Sequence, residues 1–314
     1  MGGEATTADA RLDAVIQAIP SWRASGKLAA SPMEGGITNH NYLVEVDGER
    51  FVARVAGRDT ELLGIDREAE FEAATAAHRV GIAPEVVWFL PKLGCLVTRF
   101  IEAVPIPPDR MARPDMMRKV TAALRAFHGG PPIPAAFSPF RVVRVYRDEA
   151  VARGVPIPPA YDGLLHTAAD IEAAFDRAPV APRPCHNDLL NANFLLQGGR
   201  LFLVDYEYAG MGDPFFDLGN FSVNHGFGDA EDDALVAAYF GRPSEEAMAR
   251  LKLMRVMSDF REAMWGVLQQ GISTLDFDYV DYADKHFTRC LTAVREARFR
   301  AWLDHAVAWA PAAP

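Results

Sequence analysis

The patterning of the chain changes near residue 102, and this change restricts the fold more than any other feature. Before it, four short runs at 41–47, 51–55, 86–90 and 94–100 alternate in polarity or carry β-branched residues, as strands do. Each pair of runs is close enough in the chain to form a hairpin. The first hundred residues therefore predict a small sheet.

One helix is predicted between the two hairpins, over residues 66–80. Asp66 is placed to cap its first turn, and Gly81 with Pro84 ends it. Five strands and this helix would make a small lobe that spans residues 1–101.

The rest of the chain, residues 102–314, is predicted to be a larger and mainly helical lobe. A proline-rich linker at 104–114 opens it, a β-rich stretch at 193–204 interrupts the helices, and 129–160 has no clear period. The predicted fold class is thus α+β with two lobes, and a cleft between lobes is a common ligand site. Helical patterns occupy about 115–128, 160–177, 229–240, 244–270 and 280–305.

The amino-acid composition limits which kinds of binding partner the protein can have. The 314 residues are 50% hydrophobic and 24% charged, with a formal net charge of −10, so a disordered chain is excluded and a basic nucleic-acid-binding surface is not expected. The three cysteines lie far apart, which fits a reducing cytoplasm. No apolar run reaches the roughly 18 residues of a membrane span. We expect a cytoplasmic protein with no nucleic-acid or membrane partner, and whether it forms a homodimer stays open.

The segment CHNDLLNANF, residues 185–194, is the densest group of residues suited to chemistry. In it, Asp188 lies five residues before Asn193. A phosphotransferase needs a carboxylate that accepts a proton from the attacking hydroxyl, and a nearby oxygen ligand for magnesium. D-x4-N on a short loop supplies both, although Asp and Asn also occur in loops only as capping residues.

A second acidic position follows twelve residues after Asn193, where Asp205 ends the apolar run at 201–204. A carboxylate at the end of a buried strand is costly unless it has a partner, and a magnesium ion that bridges ATP phosphates is such a partner. The alternative is an aspartate that only caps the strand end. Together with the upstream D-x4-N, the pattern favours metal binding.

Phosphate-binding residues are predicted in the strand-rich part. Glycines in EGGITNHNY, residues 34–42, let backbone amides approach phosphates, although Gly-Gly before a strand is more often a hairpin turn. Arg54 lies in the apolar strand FVARV, and Glu70 or an ATP phosphate would be its anionic partner if it is buried. The alternative for Arg54 is an edge-strand surface position. The phosphate-loop candidates are Gly36, Thr38, Asn39 and Asn41.

These features follow one another in the order of a kinase-type phosphotransferase: a basic strand residue, a helix glutamate, a D-x4-N loop and an acidic residue after a strand. From about residue 30 to 290, the sequence resembles the choline/ethanolamine kinase branch of the aminoglycoside phosphotransferase superfamily. This resemblance implies a bilobal protein-kinase-like fold with ATP and magnesium as cofactors. It is carried by HND at 186–188, DYEY at 205–208, FDLGN at 216–220, Arg54 in VARVAG, and the stretch 264–283.

The resemblance also implies a role for each matching residue. Asp188 would be the catalytic base, and Asn193 and Asp205 would bind magnesium. Arg54, held by Glu70, would contact the ATP phosphates. Further roles are implied for Gly36, Thr38, Asn39 and Asn41 in the phosphate loop, Ile101 in the hinge that reads adenine, Glu207 near the metal or the substrate amine, and Asp217 as a brace of the catalytic loop.

An aromatic box for a cation is implied near the C-terminus, because ring faces attract cations. The alternative is that these aromatic residues are the core of two packed helices. Glu262 stands where choline kinases carry the first tryptophan of W-x-x-W, and a carboxylate suits a primary or secondary amine, whose N–H groups donate to it. The alternative for Glu262 is an exposed helix position, with the side chain paired with Arg261 or Arg255. The box would consist of Trp265, Phe277, Tyr279 and Tyr282.

The predicted function is ATP- and magnesium-dependent phosphorylation of the hydroxyl of a choline/ethanolamine-like amino alcohol. Two alternatives stay open. An aminoglycoside or other metabolite kinase would need a wide acidic groove, to which the helix at 160–177 would contribute. A catalytically silent nucleotide-binding protein would be expected to lack one of Asp188, Asn193 and Asp205, and all three are present.

Overall fold

The computed structural model describes residues 10–33, 39–57 and 60–310. The first hundred residues form a five-stranded sheet with helices against it. Its elements are α1 (Ala10–Ala18), α2 (Pro20–Ala24), β1 (Leu28–Pro32), β2 (Asn39–Val46), β3 (Glu49–Ala56), α3 (Arg67–Arg79), β4 (Val86–Leu90) and β5 (Cys95–Arg99).

The sheet is antiparallel throughout, in the order β1-β2-β3-β5-β4, so Arg54 lies on its central strand. Successive side chains of a strand point to opposite faces, and here the two faces serve different cores. Val97 of β5 belongs to a core with Leu12 of α1. The adjacent Leu96 belongs to a core that contains Ala77 of α3 and the helices of the C-terminal part.

Helix α3 begins and ends where the sequence predicts. The Asp66 side chain accepts hydrogen bonds from the amides of Glu68 and Ala69, which satisfies two donors of the first turn. Gly81, with φ of +83°, continues the chain in a left-handed conformation that a glycine adopts without strain. This helix carries Glu70 toward the sheet, where its side chain is buried.

The C-terminal part is mainly helical, with two small β-sheets among the helices. Its elements are β6 (Val104–Pro105), α4 (Pro114–His128), α5 (Pro139–Ala152), α6 (Ala160–Arg177), β7 (Arg183–Cys185), β8 (Phe194–Gln197), β9 (Arg200–Leu203), β10 (Gly210–Gly212), α7 (Pro214–Asn224), α8 (Asp229–Phe240), α9 (Glu245–Ile272), α10 (Tyr279–Val294) and α11 (Phe299–Val307). In one sheet β7 is paired with β10, and in the other β8 lies between β6 and β9.

Helix α9 is the centre of this part and packs against α5, α7, α10 and α11. From Ala247 to Gln269 every side chain is buried except those of Met248 and Arg255. Helix α7 approaches it so closely that a Cβ atom on Gly219 would lie 2.7 Å from the main chain of α9. Charged residues inside so enclosed a helix need partners, and two of them, Arg261 and Glu262, have partners in the site described below.

The predicted α+β fold class is confirmed, and α1 and α2 accompany the predicted helix α3 on the sheet. The single helix predicted over 280–305 is wrong, because α10 ends at Val294 and α11 begins at Phe299. Between them, the amides of Arg295 and Glu296 bond to carbonyls three residues back, which ends the α-helical ladder. Four helices, α1, α2, α5 and α7, were not predicted. The division into 1–101 and 102–314 stays a prediction.

Within the described ranges, no helix is both long enough and apolar enough to cross a bilayer.

Candidate active site

Side chains of α7 hold the loop between β7 and β8 through hydrogen bonds to its main chain. Asp217 accepts hydrogen bonds from the amides of His186, at 2.8 Å, and Asn187, at 2.7 Å, and its Oδ2 lies 2.9 Å from Nε2 of His128. Burial alone would raise the pKa of Asp217, but its hydrogen bond with His128 and the charges nearby lower it below the usual value. Asn220, one turn later, accepts from the amide of Leu189 at 2.6 Å.

Asp188 lies in this loop with only 9% of its surface exposed. Asn193 donates through Nδ2 to the carboxylate at 3.2 Å and to the main-chain oxygen of Asp188 at 2.8 Å. On the other side, Nη2 of Arg261 lies 3.7 Å from Oδ1. Burial raises the pKa of Asp188 to about 7, although the positive charge of Arg261 opposes this shift.

Asp205 follows strand β9 and adopts a left-handed conformation, with φ of +72°. The amide of the preceding residue, Val204, donates to the carbonyl of Asn193 at 3.0 Å, which ties the two predicted magnesium ligands to one another. Because Asn193 uses Nδ2 to hold Asp188, its Oδ1 is the atom that remains for a cation. Carboxylate and amide oxygens are the ligands that magnesium prefers, so this pair fits the ion.

Arg54 links the sheet to the acidic loop. Its guanidinium pairs with Glu70, as predicted from the sequence, and also with Asp205. Glu207 Oε1 lies 3.5 Å from Nη1 of Arg54. Burial lowers the pKa of Arg54, but the surrounding carboxylates outweigh burial and the pKa is raised. Arg54 is therefore no edge-strand surface residue.

A second arginine completes this network. Arg67 pairs with Glu70 at 2.7 Å and donates to Asn39 at 3.2 Å, and Asn39 donates in turn to Glu207. Arg67 was not among the predicted site residues, although its position three residues before Glu70 on one helix face was a signal. Burial, followed by the negative charge of Asp205, raises the pKa of Glu207. Glu207 therefore lies with the predicted nucleotide-binding residues and not with the aromatic ones.

The remaining predicted nucleotide-binding residues are more scattered. Asn41 lies opposite Arg54 in the register of β2 and β3. Ile101 follows β5, and its carbonyl accepts from the amide of Ala103 at 2.8 Å. Gly36 and Thr38 lie outside the described residues.

The four predicted aromatic residues form one cluster beside α9. The Trp265 ring packs edge-on against Tyr279 and Tyr282, with centroids 5.8 and 5.6 Å away, and Phe277 lies 4.8 Å from Tyr279. Nε1 of Trp265 donates to the hydroxyl of Tyr208 at 3.1 Å. Phe277 is 43% exposed, whereas Trp265 is buried, so the cluster opens to solvent on the Phe277 side.

Glu262 lies against this cluster and is only 4% exposed. Its Oε2 accepts from the hydroxyl of Tyr282 at 2.7 Å, and its Oε1 lies 2.9 Å from Nη1 of Arg261 without hydrogen-bond geometry. The alternative prediction of an exposed Glu262 is wrong about exposure, because α9 is enclosed, and right about the pairing with Arg261. Arg261 and Tyr208 are further site residues that the sequence analysis did not identify.

An acidic loop between a small antiparallel sheet and a helical part, with paired arginine and glutamate beside it, defines a phosphotransferase of the kinase-like class. A model of the phosphotransferase enzyme family matches residues 29–254, and the chain belongs to this family. It is a phosphotransferase with an alcohol group as acceptor, as predicted.

Individual relatives place the similarity in the predicted choline/ethanolamine kinase branch. The chain is 26% identical to protein LicA of Haemophilus influenzae over 273 residues, which cover 83% of the chain and 79% of that protein. It is 25% identical to mouse ethanolamine kinase 2 over 300 residues, covering 86% and 77%.

Solved structures agree with these relatives. A choline/ethanolamine kinase family protein from Mesorhizobium loti superposes with a TM-score of 0.81 and 29% identity, covering 95% of this chain and 100% of that one. The choline kinase LicA of Streptococcus pneumoniae gives a TM-score of 0.77 at 24% identity, covering 90% and 98%, which shows the same fold.

Proposed function

We propose that the protein transfers the γ-phosphoryl group of ATP, with magnesium, to the hydroxyl of a small amino alcohol. One observation carries this proposal. The carboxylate of Asp188 is bounded on one side by Asn193 of the magnesium pair and on the other by Arg261, which adjoins the aromatic cluster. A hydroxyl held by an amine in that cluster would meet the base beside the phosphate. The names of the relatives, choline kinase and ethanolamine kinase, support the same acceptor class.

The chemistry assigns one task to each group. The acceptor hydroxyl gives its proton to Asp188 while its oxygen forms the bond to the γ-phosphorus and the bond to the ADP oxygen breaks. Asn193 and Asp205 would hold magnesium, which supplies positive charge to the phosphate oxygens. Arg54 exchanges a carboxylate partner for phosphate oxygens. The protein thus contributes mainly orientation and charge.

Glu262 gives the proposed pocket a preference among amines. Ring faces of Trp265 and Tyr282 attract any ammonium group, whereas a carboxylate oxygen gains a charge-assisted hydrogen bond only from an amine with an N–H group. We expect ethanolamine-like acceptors to be used better than choline. A Glu262→Gln variant should lose this preference, because the neutral amide no longer attracts the ammonium group.

An ADP-release assay with a panel of amino alcohols, aminoglycosides and other alcohols tests the proposal. Asp188→Asn should lower kcat by about 10²–10⁴-fold, the range expected for loss of a general base. Asp304→Asn, at an exposed aspartate on α11, is the matched control and should leave kcat unchanged. Full activity of the Asp188 variant would contradict the mechanism. Turnover only with aminoglycosides would support the alternative kinase class, and no turnover with any acceptor would support a silent nucleotide-binding protein.

A further inference from the structure

The guanidinium of Arg261 contacts the main chain of the predicted catalytic loop. Nη2 donates to the carbonyl oxygen of Asn187 at 2.6 Å and lies 3.7 Å from the carboxylate of Asp188. Arg261 lies on α9, 74 residues away in the chain. A single buried side chain therefore reaches both the peptide group before Asp188 and its carboxylate.

The main chain at Asn187 is held by several contacts. Its φ of +65° is left-handed, a conformation that asparagine adopts more readily than most residues other than glycine, and it directs the Asn187 carbonyl to Arg261. The amide of Asn187 donates to Asp217, and the Asn187 side chain donates to the carbonyl of Tyr208. Neither contact fixes the carbonyl of Asn187. Arg261 fixes that carbonyl. The two peptide groups on either side of the Asn187 Cα are thus each held, one by Asp217 and the other by Arg261.

Arg261 is itself held rigidly, so it can transmit a fixed position to the loop. Its side chain is 2% exposed, Nη1 pairs with Glu262, and its Cζ lies 4.8 Å from the centre of the Tyr208 ring. An arginine so enclosed retains little rotamer freedom. Its planar fork offers several donors in a fixed geometry, which a lysine does not reproduce.

We propose that Arg261 is a positioning residue, which fixes the Asn187 carbonyl and thereby sets where the Asp188 carboxylate meets the acceptor hydroxyl. The inference rests on the proposed function for its kinetic consequence, because only there is Asp188 the base. The structural part, the ordering of the loop by α9, does not depend on the substrate. A displacement of about 1 Å at a reacting group can cost on the order of 100-fold in rate.

The kinetic test compares Arg261→Met and Arg261→Lys with Arg255→Met. Arg255 is the matched control because it lies on the same helix and bonds to Asp232 and the Phe227 carbonyl, away from the loop. We expect Arg261→Met to lower kcat about 100-fold with the KM for ATP within about twofold, and lysine to restore about tenfold. Arg255→Met should lower Tm and leave kcat unchanged. Unchanged kcat in Arg261→Met would overturn the proposal.

A double variant separates positioning from charge balance. If Arg261 only neutralises Glu262, Arg261→Met combined with Glu262→Gln should restore kcat, and that result would overturn the proposal. If Arg261 positions the loop, the double variant should regain Tm while kcat stays low. The kcat of the single variant Glu262→Gln is measured first with the same acceptor. The decrease in kcat that the Glu262 substitution causes by itself is then known.

Hydrogen exchange without substrate distinguishes failure of the inference from failure of the proposed function. Arg261→Met should accelerate exchange of the amides at 186–190, and Arg255→Met should not. If the wild type turns over no acceptor, the proposed function fails, but faster exchange still supports ordering of the loop by Arg261. Unchanged exchange in Arg261→Met would overturn the inference whatever the enzyme phosphorylates.

Discussion

Replacing Asp217 with asparagine removes one acceptor from under the predicted catalytic loop. The amides of Asn187 and His186 bond to different carboxylate oxygens, Oδ1 and Oδ2. An asparagine keeps only one oxygen, so in either orientation one amide of the loop faces an NH₂ group. The site is fully buried, and water cannot replace the lost acceptor.

The structure gives the size of this effect. A buried amide without an acceptor costs about 1–3 kcal/mol, and loss of the negative charge weakens each remaining hydrogen bond by roughly 0.5–1 kcal/mol. Asp217→Asn should therefore destabilise the protein by about 3 kcal/mol. At roughly 2 °C for each kcal/mol in a large chain, Tm should fall by about 6 °C. The exposed Asp170→Asn should change stability by less than about 0.5 kcal/mol.

The pH dependence follows from the lowered pKa of Asp217. A carboxyl group whose pKa is lower in the folded than in the unfolded state stabilises the fold above its unfolded pKa, about 3.9, and loses this contribution as the pH falls through the folded value. Urea unfolding from pH 8 to pH 4 should show a constant gap between wild type and Asp217→Asn that begins to narrow near pH 4. A gap under about 1 kcal/mol at pH 7, or one that widens on acidification, would refute this reasoning.

Four further substitutions have defined outcomes. Arg54→Met should raise the KM for ATP about tenfold, because about 1.4 kcal/mol of phosphate binding is lost; an unchanged KM in the coupled assay would argue against that contact. Gly266→Ala places a Cβ atom 3.0 Å from the Tyr282 ring, so the acceptor KM should rise several-fold while the KM for ATP stays constant. Gly219→Ala meets the main chain of α9 at 2.7 Å and should cost about 1–3 kcal/mol in urea unfolding. In the same assay, Gly163→Ala on open helix surface should stabilise by about 0.5–1 kcal/mol.

Most of the fold was predictable because strand alternation and helix caps are local signals. Of the four missed helices, α5 and α7 differ in whether the sequence carries such a signal. Helix α7 is buried from Pro214 to Val223, so its residues show no polar face and no period. Helix α5 does carry such signals, because Ser138 caps it, Pro139 opens it, and its buried residues Phe140, Val143, Tyr146 and Ala150 lie at helical spacing. Tertiary burial, which a single sequence does not display, hides α7, whereas the pattern of α5 was present in the sequence.

The site residues also fall into two groups, those that the sequence predicts and those whose contacts depend on tertiary packing. Asp188, Asn193 and Asp205 follow one another within a short segment, so their spacing indicated that they lie together. Arg261 contacts Asn187 only because α9 packs next to the loop in the folded chain. No sequence spacing predicts a contact between residues that are 74 positions apart. The direction of Glu207, toward the arginines and away from the aromatic cluster, likewise depends on how the sheet meets the loop.

The ion pairs of Arg54 also constrain the order in which the protein matures. Its partner Asp205 lies 151 residues later in the chain, whereas the core that contains Val55 draws only on residues 12 to 97. During synthesis the sheet can therefore bury its apolar face long before Asp205 has been made. In that interval Glu70, only 16 residues from Arg54, has already been made and can pair with the guanidinium. We expect a nascent chain that ends before residue 200 to hold a formed sheet, while the ion pair of Arg54 with Asp205 forms only after the acidic loop emerges.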